Sequence, residues 1–258
     1  MHKKNLVIFD FDQTIIDLDS EFSLVEKYAP DLYKEKNGNL YVKDHWIEFN
    51  NYIYTRIIQN GYNYEDVKRY FSSLELSPNM EELLIYLKEN KNKYETVIIT
   101  GNNDQVVDIV LSSHNIKECF EHILCNKSVR DEKNIFKIWA INEKYEHCVD
   151  DKPFLCKSLF FEDFIKDKKD CFDKIFYIGD GTNDFCLSKK LGINDIVFPR
   201  INYSLYKILY EKNGKNDVKA QIFPWNNGIK KLIQSKSLFI IKININFMVI
   251  HKSYGHII

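Results

Sequence analysis

Leu6-Val7-Ile8-Phe9 is an unbroken apolar run, and Thr96-Val97-Ile98-Ile99, Ile175-Phe176-Tyr177-Ile178 and Asp195-Ile196-Val197-Phe198 repeat its character. Short runs that are apolar on both faces suit strands buried in a parallel sheet. Turn chemistry and then helical periodicity follow, as at Asn103 to His114, Thr182 to Leu191 and Asn202 to Tyr210. Strands alternating with helices at this spacing predict an α/β fold with a doubly wound parallel sheet.

Two stretches depart from that rhythm. Residues 18–79 offer no convincing strand, and they set Tyr28, Tyr33, Tyr41, Trp46, Phe49, Tyr52, Tyr54, Tyr62, Tyr64, Tyr70 and Phe71 among helix formers. This reads as a small helical insertion after the first strand, closed by Ser77-Pro78-Asn79. The aromatics are expected to pack the insertion's own core. Residues 126–153 are polar and irregular, and predict an extended loop or a hairpin. The organisation expected is a core of residues 1–17 and 80–235, an insertion of residues 18–79, and an appended tail of residues 236–258. In the tail, Ile241 to Phe247 alternates like a half-exposed strand. The apolar stretch Leu238 to Ile250 is too short for a membrane span and is interrupted by Lys and Asn.

Composition narrows the classes. A chain of 258 residues that is 45% hydrophobic can bury a sizeable core. Thirty-six basic residues against 37 acidic ones leave a net charge of −1, which argues against nucleic-acid binding through bulk charge. Cys119, Cys125, Cys148, Cys156, Cys171 and Cys186 contain no C-x-x-C pair. With no leader pattern in Met1-His2-Lys3-Lys4, reduced thiols and a cytoplasmic location are expected. His114, His122 and His147 lack a metal-ligand spacing and read as surface or structural.

The chemistry gathers at strand ends. Asp10-Phe11-Asp12-Gln13-Thr14 follows the first strand directly. Open α/β sheets place ligands at the carboxyl ends of their strands. Carboxylates held close together repel unless a divalent cation sits beside them. Gly179-Asp180-Gly181-Thr182-Asn183-Asp184 puts acids at the end of another strand, where Asp180 is placed to join Asp10 and Asp12 around a hard cation. Asp184 is expected to orient Asp180 or Lys157. Thr100-Gly101-Asn102-Asn103 offers a hydroxyl, a glycine and a helix N-terminus, a combination suited to an anion. Lys157 follows on a helix expected to start near Leu155. Taken singly, each has a plainer reading: a capped turn, common Thr-Gly turn chemistry, a solvated lysine.

The ordered set D-x-D-x-T, Thr at a strand end, Lys, then G-D-G-x-N-D resembles the haloacid dehalogenase (HAD) superfamily of phosphohydrolases. Asp10 to Asp17, Leu155-Cys156-Lys157, Gly179 to Cys186, Phe198-Pro199-Arg200 and Pro224-Trp225 are similar to one branch of it. That branch holds the phosphoethanolamine/phosphocholine phosphatases and the related pyridoxal phosphate phosphatase-like proteins. The resemblance spans most of residues 5–234. It departs at Gln13, where the family usually has Glu, and at Thr100-Gly101, where it has Ser-Asp. The carboxylate missing at Gly101 is one that the resemblance would assign to substrate binding. A second substrate-binding Asp of the family falls at Glu21.

The resemblance implies a Mg²⁺-dependent phosphomonoesterase acting on a small phosphorylated metabolite through an aspartyl-phosphate. In it Asp10 is the nucleophile and Asp12 the general acid and base. Thr100, Gly101 and Lys157 hold the phosphate. Asp10, the Asp12 main-chain carbonyl and Asp180 hold the metal. Glu21 is the candidate for contacting a substrate amine, and the helical insertion becomes a cap over the site. The alternatives are a D-x-D-x-T protein phosphatase and a silent phosphate-binding protein. No nucleic-acid or membrane partner is expected, and the oligomeric state stays open.

Overall fold

The computed structural model describes residues 3–32, 46–130, 136–139, 156–226 and 233. The first strand, β1 (Lys4–Phe9), is followed by helices α1 (Ser20–Tyr28), α2 (Trp46–Gln59), α3 (Tyr64–Ser72) and α4 (Met80–Glu89). Then come β2 (Tyr94–Asn103), α5 (Asp104–Ser113), β3 (His122–Arg130) and β4 (Phe136–Trp139). The chain continues through α6 (Lys157–Ile165), β5 (Phe172–Gly179), α7 (Asn183–Ser188), β6 (Ile196–Pro199), α8 (Ser204–Glu211) and β7 (Gln221–Ile222).

These strands form one seven-stranded sheet in the order β4-β3-β2-β1-β5-β6-β7. Every pairing is parallel except β3 with β4. The expected doubly wound α/β fold is therefore the fold observed. From β1 the chain works outward through β2, β3 and β4, then returns to lay β5 on the other side of β1. That reversal leaves a crevice beyond the carboxyl ends of β1 and β5, where ligands of such sheets bind.

The apolar runs are continuous because both sheet faces are covered. Val7 and Phe9 belong to one core cluster with Leu83, Val106, Phe176 and Phe198. Leu6 and Ile8 belong to the other with Val97, Phe160, Tyr177 and Leu205. Each such buried side chain contributes about 1.5–3 kcal/mol against its exposed state. These contacts make the frame rigid at the strand ends.

The three helices α1, α2 and α3 all lie within the segment expected to be helical, and no strand occurs among its described residues. Tyr28, Tyr54 and Phe71 are buried there, and Phe49, Tyr52, Tyr64 and Tyr70 pack against them. Tyr62 is exposed. Tyr33 and Tyr41 lie outside the described residues. The helices are tied to the sheet through β4: Asn51 donates to the Ile138 carbonyl at 3.0 Å and accepts from its amide at 2.7 Å.

The polar stretch from residue 126 does begin as a hairpin, β3 with β4, but β3 starts four residues earlier and joins the parallel sheet. Its sheet-forming part, His122-Ile123-Leu124-Cys125, is only partly apolar because it lies near the sheet edge. The helix bearing Lys157 starts at that residue, slightly later than expected. Residues 140–155 and the tail from 236 lie outside the described residues.

Candidate active site

Four chain segments bring their polar residues to the crevice. Asp10 directly follows β1, and its amide donates to the Ile178 carbonyl of β5 at 2.9 Å. Asp180 follows β5, so the two acids are neighbours across a parallel pair. Lys157 opens α6 and is fully buried. Its ammonium lies 2.5 Å from Asp10 Oδ1 and 2.5 Å from Asp184 Oδ1. A buried lysine is tolerable only when paired, and here two carboxylates pair it.

Asp184 is held completely. Its Oδ2 accepts from the amides of Asp180 at 2.8 Å and Gly181 at 2.7 Å. Its Oδ1 accepts from Lys157 and from the Tyr177 hydroxyl. It therefore sets the G-D-G turn and orients the lysine. The turn also explains Gly179: a Cβ there would lie 2.4 Å from Asp184 Oδ2, well inside contact distance. Thr14 donates to Asp180 Oδ1 at 3.2 Å, linking the D-x-D-x-T loop to the second acidic turn.

Oxygen atoms of Asp10, Asp180 and Asp184 lie within 4.8 Å of one another. This all-carboxylate set suits a hard divalent cation. Burial, and then the nearby Asp184 charge, push the Asp10 carboxyl up to about 7. Burial and the Asp10 and Asp184 charges also raise the Asp180 carboxyl well above its ordinary value. Burial opposes the Lys157 charge, yet Asp10 and Asp184 hold its pKa above that of an ordinary lysine. A divalent cation among these acids would supply the positive charge that their burial requires.

Asp12 points elsewhere. Its Oδ1 accepts from the Ser20 amide at 2.8 Å and its Oδ2 from Asn102 Nδ2 at 2.9 Å. A metal contact by Asp12 would thus come from its main chain. Burial raises its pKa, while the Ser20 and Asn102 donors lower it. Ser20 Oγ donates onward to Glu21 Oε2 at 2.9 Å. Burial, and then the Asp12 charge, raise the Glu21 carboxyl well above its usual range. Glu21 is therefore joined to the Asp12 neighbourhood through a single residue.

Thr100 is buried, and its hydroxyl oxygen accepts from the Asn102 amide at 3.1 Å. The Gly101 carbonyl accepts from Asn126 of β3 at 2.7 Å, which fixes that peptide. Arg200, after β6, donates to the Gln13 carbonyl at 2.5 Å and to Asp17. It thereby clamps the loop at a residue whose φ is +55°, a strained value for a glutamine.

The sequence reading did not single out Ser20, Asn102, Asn126, Tyr177 or Arg200 as parts of the site. Asn102 lies in the quoted Thr100-Gly101-Asn102-Asn103 segment, Tyr177 in a quoted apolar run and Arg200 in the quoted Phe198-Pro199-Arg200 segment, but none was given a role. Nothing in the sequence marks Asn126, which acts from β3.

A parallel α/β sheet with two acidic turns, a buried lysine and a hydroxyl at its switch point defines a phosphatase of the HAD superfamily. The chain belongs to the family described as "Putative Phosphatase", whose model matches residues 5–237. It is 31% identical over 248 residues to the pyridoxal phosphate phosphatase PHOSPHO2 of Bos taurus, covering 93% of this chain and 99% of that protein. It is 26% identical over 226 residues to the phosphoethanolamine/phosphocholine phosphatase of Homo sapiens, covering 85% and 84%. Its fold matches that of a phosphoserine phosphatase crystallised in apo form, with a TM-score of 0.61 at 14% identity, over 90% and 98% of the two chains.

Proposed function

We propose that the protein hydrolyses a small phosphomonoester of the pyridoxal phosphate or phosphoethanolamine/phosphocholine type, with Asp10 as nucleophile and Mg²⁺ as cofactor. The observation that carries this reading is the buried Lys157 bridging Asp10 and Asp184 beside Asp180. Asp10, the Asp12 main-chain carbonyl and Asp180 would hold the cation. When bound, it neutralises charge between the carboxylates and a phosphate dianion and fixes their alignment.

Asp10 attacks phosphorus, its Oδ–P bond forming as the bond to the leaving oxygen breaks. Lys157 and the Thr100 hydroxyl hold the non-reacting phosphate oxygens, with the Gly101 amide alongside. Asp12 protonates the leaving oxygen, then takes a proton from the water that cleaves the aspartyl-phosphate. Asp184 keeps Lys157 and the Asp180 turn in place. Residues 18–79 serve as a cap, with residues 1–17 and 80–235 as the catalytic core. Ser20 of α1 already reaches Asp12. A cap so close to the D-x-D loop favours a small substrate over a protein phosphosite.

In this reading Glu21 contacts the leaving group. The relatives named above are a pyridoxal phosphate phosphatase and a phosphoethanolamine/phosphocholine phosphatase. Gly101 lacks the carboxylate that the resemblance would place there, so Glu21 is left as the acid for an amine. The described cysteines are all free thiols, which accords with a cytoplasmic setting. Among the described residues no helix is long and apolar enough to cross a membrane.

A panel of small phosphate esters ranked by kcat/KM, with and without Mg²⁺, tests the reading. Turnover that needs the metal and is best for an amine-bearing or pyridoxal ester is expected. Folded protein that hydrolyses none of them, nor an aryl phosphate, would instead favour a silent phosphate-binding protein.

A further inference from the structure

Asn102 is 3% exposed and spends every polar atom of its side chain at the crevice. Its Oδ1 accepts from the Asn103 amide at 2.7 Å. That bond decides which end of the side chain faces the site, because a backbone N–H needs an acceptor. The Nδ2 end must then point toward Asp12. One of its hydrogens goes to Asp12 Oδ2 at 2.9 Å and the other to Ser20 Oγ at 2.7 Å.

Asp12 is thus gripped at both oxygens from two parts of the chain. Asn102, from the end of β2, holds Oδ2, and the Ser20 amide, from the start of α1, holds Oδ1. A carboxyl with one anchor turns about its Cβ–Cγ bond, whereas one with two does not. The Asn102 side-chain amide also touches the Ser20 hydroxyl, so α1 braces the same group. We propose that Asn102 is a positioning residue, aiming the Asp12 carboxyl at the leaving oxygen, with α1 bracing it through Ser20.

This rests on the reading of Asp12 as general acid. In that step the P–O bond to the leaving group breaks, its electron pair stays on oxygen, and the Asp12 proton moves to that oxygen. A misaimed acid slows the step in proportion to how much the leaving group needs a proton. An alkoxide needs it, whereas a nitrophenolate leaves without it. A positioned acid contributes roughly 10²–10⁴-fold where it is needed.

The test compares kcat/KM for benzyl phosphate and p-nitrophenyl phosphate in the full chain with saturating Mg²⁺. This parameter reports steps through phosphoryl transfer, before water attacks the intermediate. The benzyl-to-nitrophenyl ratio is expected to fall about tenfold or more in Asn102→Ala. Asn102→Leu keeps the side chain's shape and loses both donor bonds, and its ratio should fall in the same direction. Ser20→Ala removes the hydroxyl's bonds with Asn102 and Glu21 but keeps the Ser20 amide on Asp12, and should give a smaller drop. It also serves if position 102 variants fail to fold, as judged by thermal melts. Equal loss on both substrates, with the ratio unchanged, overturns the proposal by making Asn102 merely structural. Asp12→Ala separates the two ideas. If its ratio collapses while the Asn102 variants keep theirs, the Asn102 role alone fails. If its ratio is also unchanged, the general-acid reading fails and takes this one with it.

Discussion

At the residue scale the site is governed by the cost of burying charge. Asp10, Lys157, Asp180 and Asp184 are all buried, and none would be tolerated alone. Removing the one cation that pairs these acids among the described residues leaves them uncompensated, so Lys157→Met is expected to destabilise the protein by about 3–5 kcal/mol. Denaturant unfolding would check this, and a loss below about 1 kcal/mol would contradict the pairing argument. Asp10→Asn works in the other direction for stability. It removes a carboxyl whose pKa is pushed up to about 7, so melting without metal at pH 8 should be unchanged or higher. Its turnover of p-nitrophenyl phosphate should fall by at least ~10³-fold, because an amide cannot form the aspartyl ester. A folded, active Asp10→Asn would remove that residue as the nucleophile.

At the element scale, loops after β1 and β5 are held by groups from other elements. Arg200 follows β6, is almost fully buried, and stacks over Tyr203 and Trp225. Its two bonds hold the Gln13 carbonyl and Asp17, so the loop between Asp10 and α1 is fastened to the end of β6, two strands away. Arg200→Lys cannot reproduce a planar fork. It should cost about 1–3 kcal/mol and lower kcat more than it raises KM, because the nucleophile loop loosens while Lys157 and Thr100 stay. Thermal melts and steady-state kinetics together decide this, and an unchanged kcat would confine Arg200 to a packing role. The start of α1 shows the same logic. Asp19 caps that helix by accepting from the Phe22 amide at 2.9 Å, which presents Ser20 and Glu21 toward the β2 end.

At the scale of the whole molecule, metal, protons and stability are linked. Asp10 rises from 3.8 to about 7 on folding, and Asp180 also rises. Between about pH 4 and 7 the metal-free folded chain therefore keeps protons that the unfolded chain has lost. Stability falls with rising pH wherever the folded state binds more protons, so the metal-free protein should weaken across this window. A divalent cation reverses the trend by taking the place of those protons. At 100 times its Kd, Mg²⁺ should add about 2.7 kcal/mol, or roughly 5–11 °C in Tm. At one fixed Mg²⁺ concentration the gain should be clearly larger at pH 7.5 than at pH 5. Melting curves with EDTA and with Mg²⁺ at both pH values check this, and an equal gain would show that these acids are not the cation's ligands.

The four apolar runs, the helical segment after β1 and the placing of Asp10 and Asp180 at strand ends were legible in the chain alone, whereas Thr100 and Lys157 stood out only through the family resemblance. Strands buried on both faces must be continuously apolar, and acids at their carboxyl ends stand out against that background. Tertiary structure decided the rest. Only folding joins β3 to the sheet, because a strand near the edge lacks the apolar signature of a central one. Only folding turns the Asp12 carboxyl away from Asp10 and toward Ser20 and Asn102. Asn126, Tyr177 and Arg200 enter the site through hydrogen bonds whose partners lie 25, 7 and 187 residues away. Local patterning records which residues must be buried, whereas the direction of a polar side chain depends on partners that only the assembled sheet brings within reach.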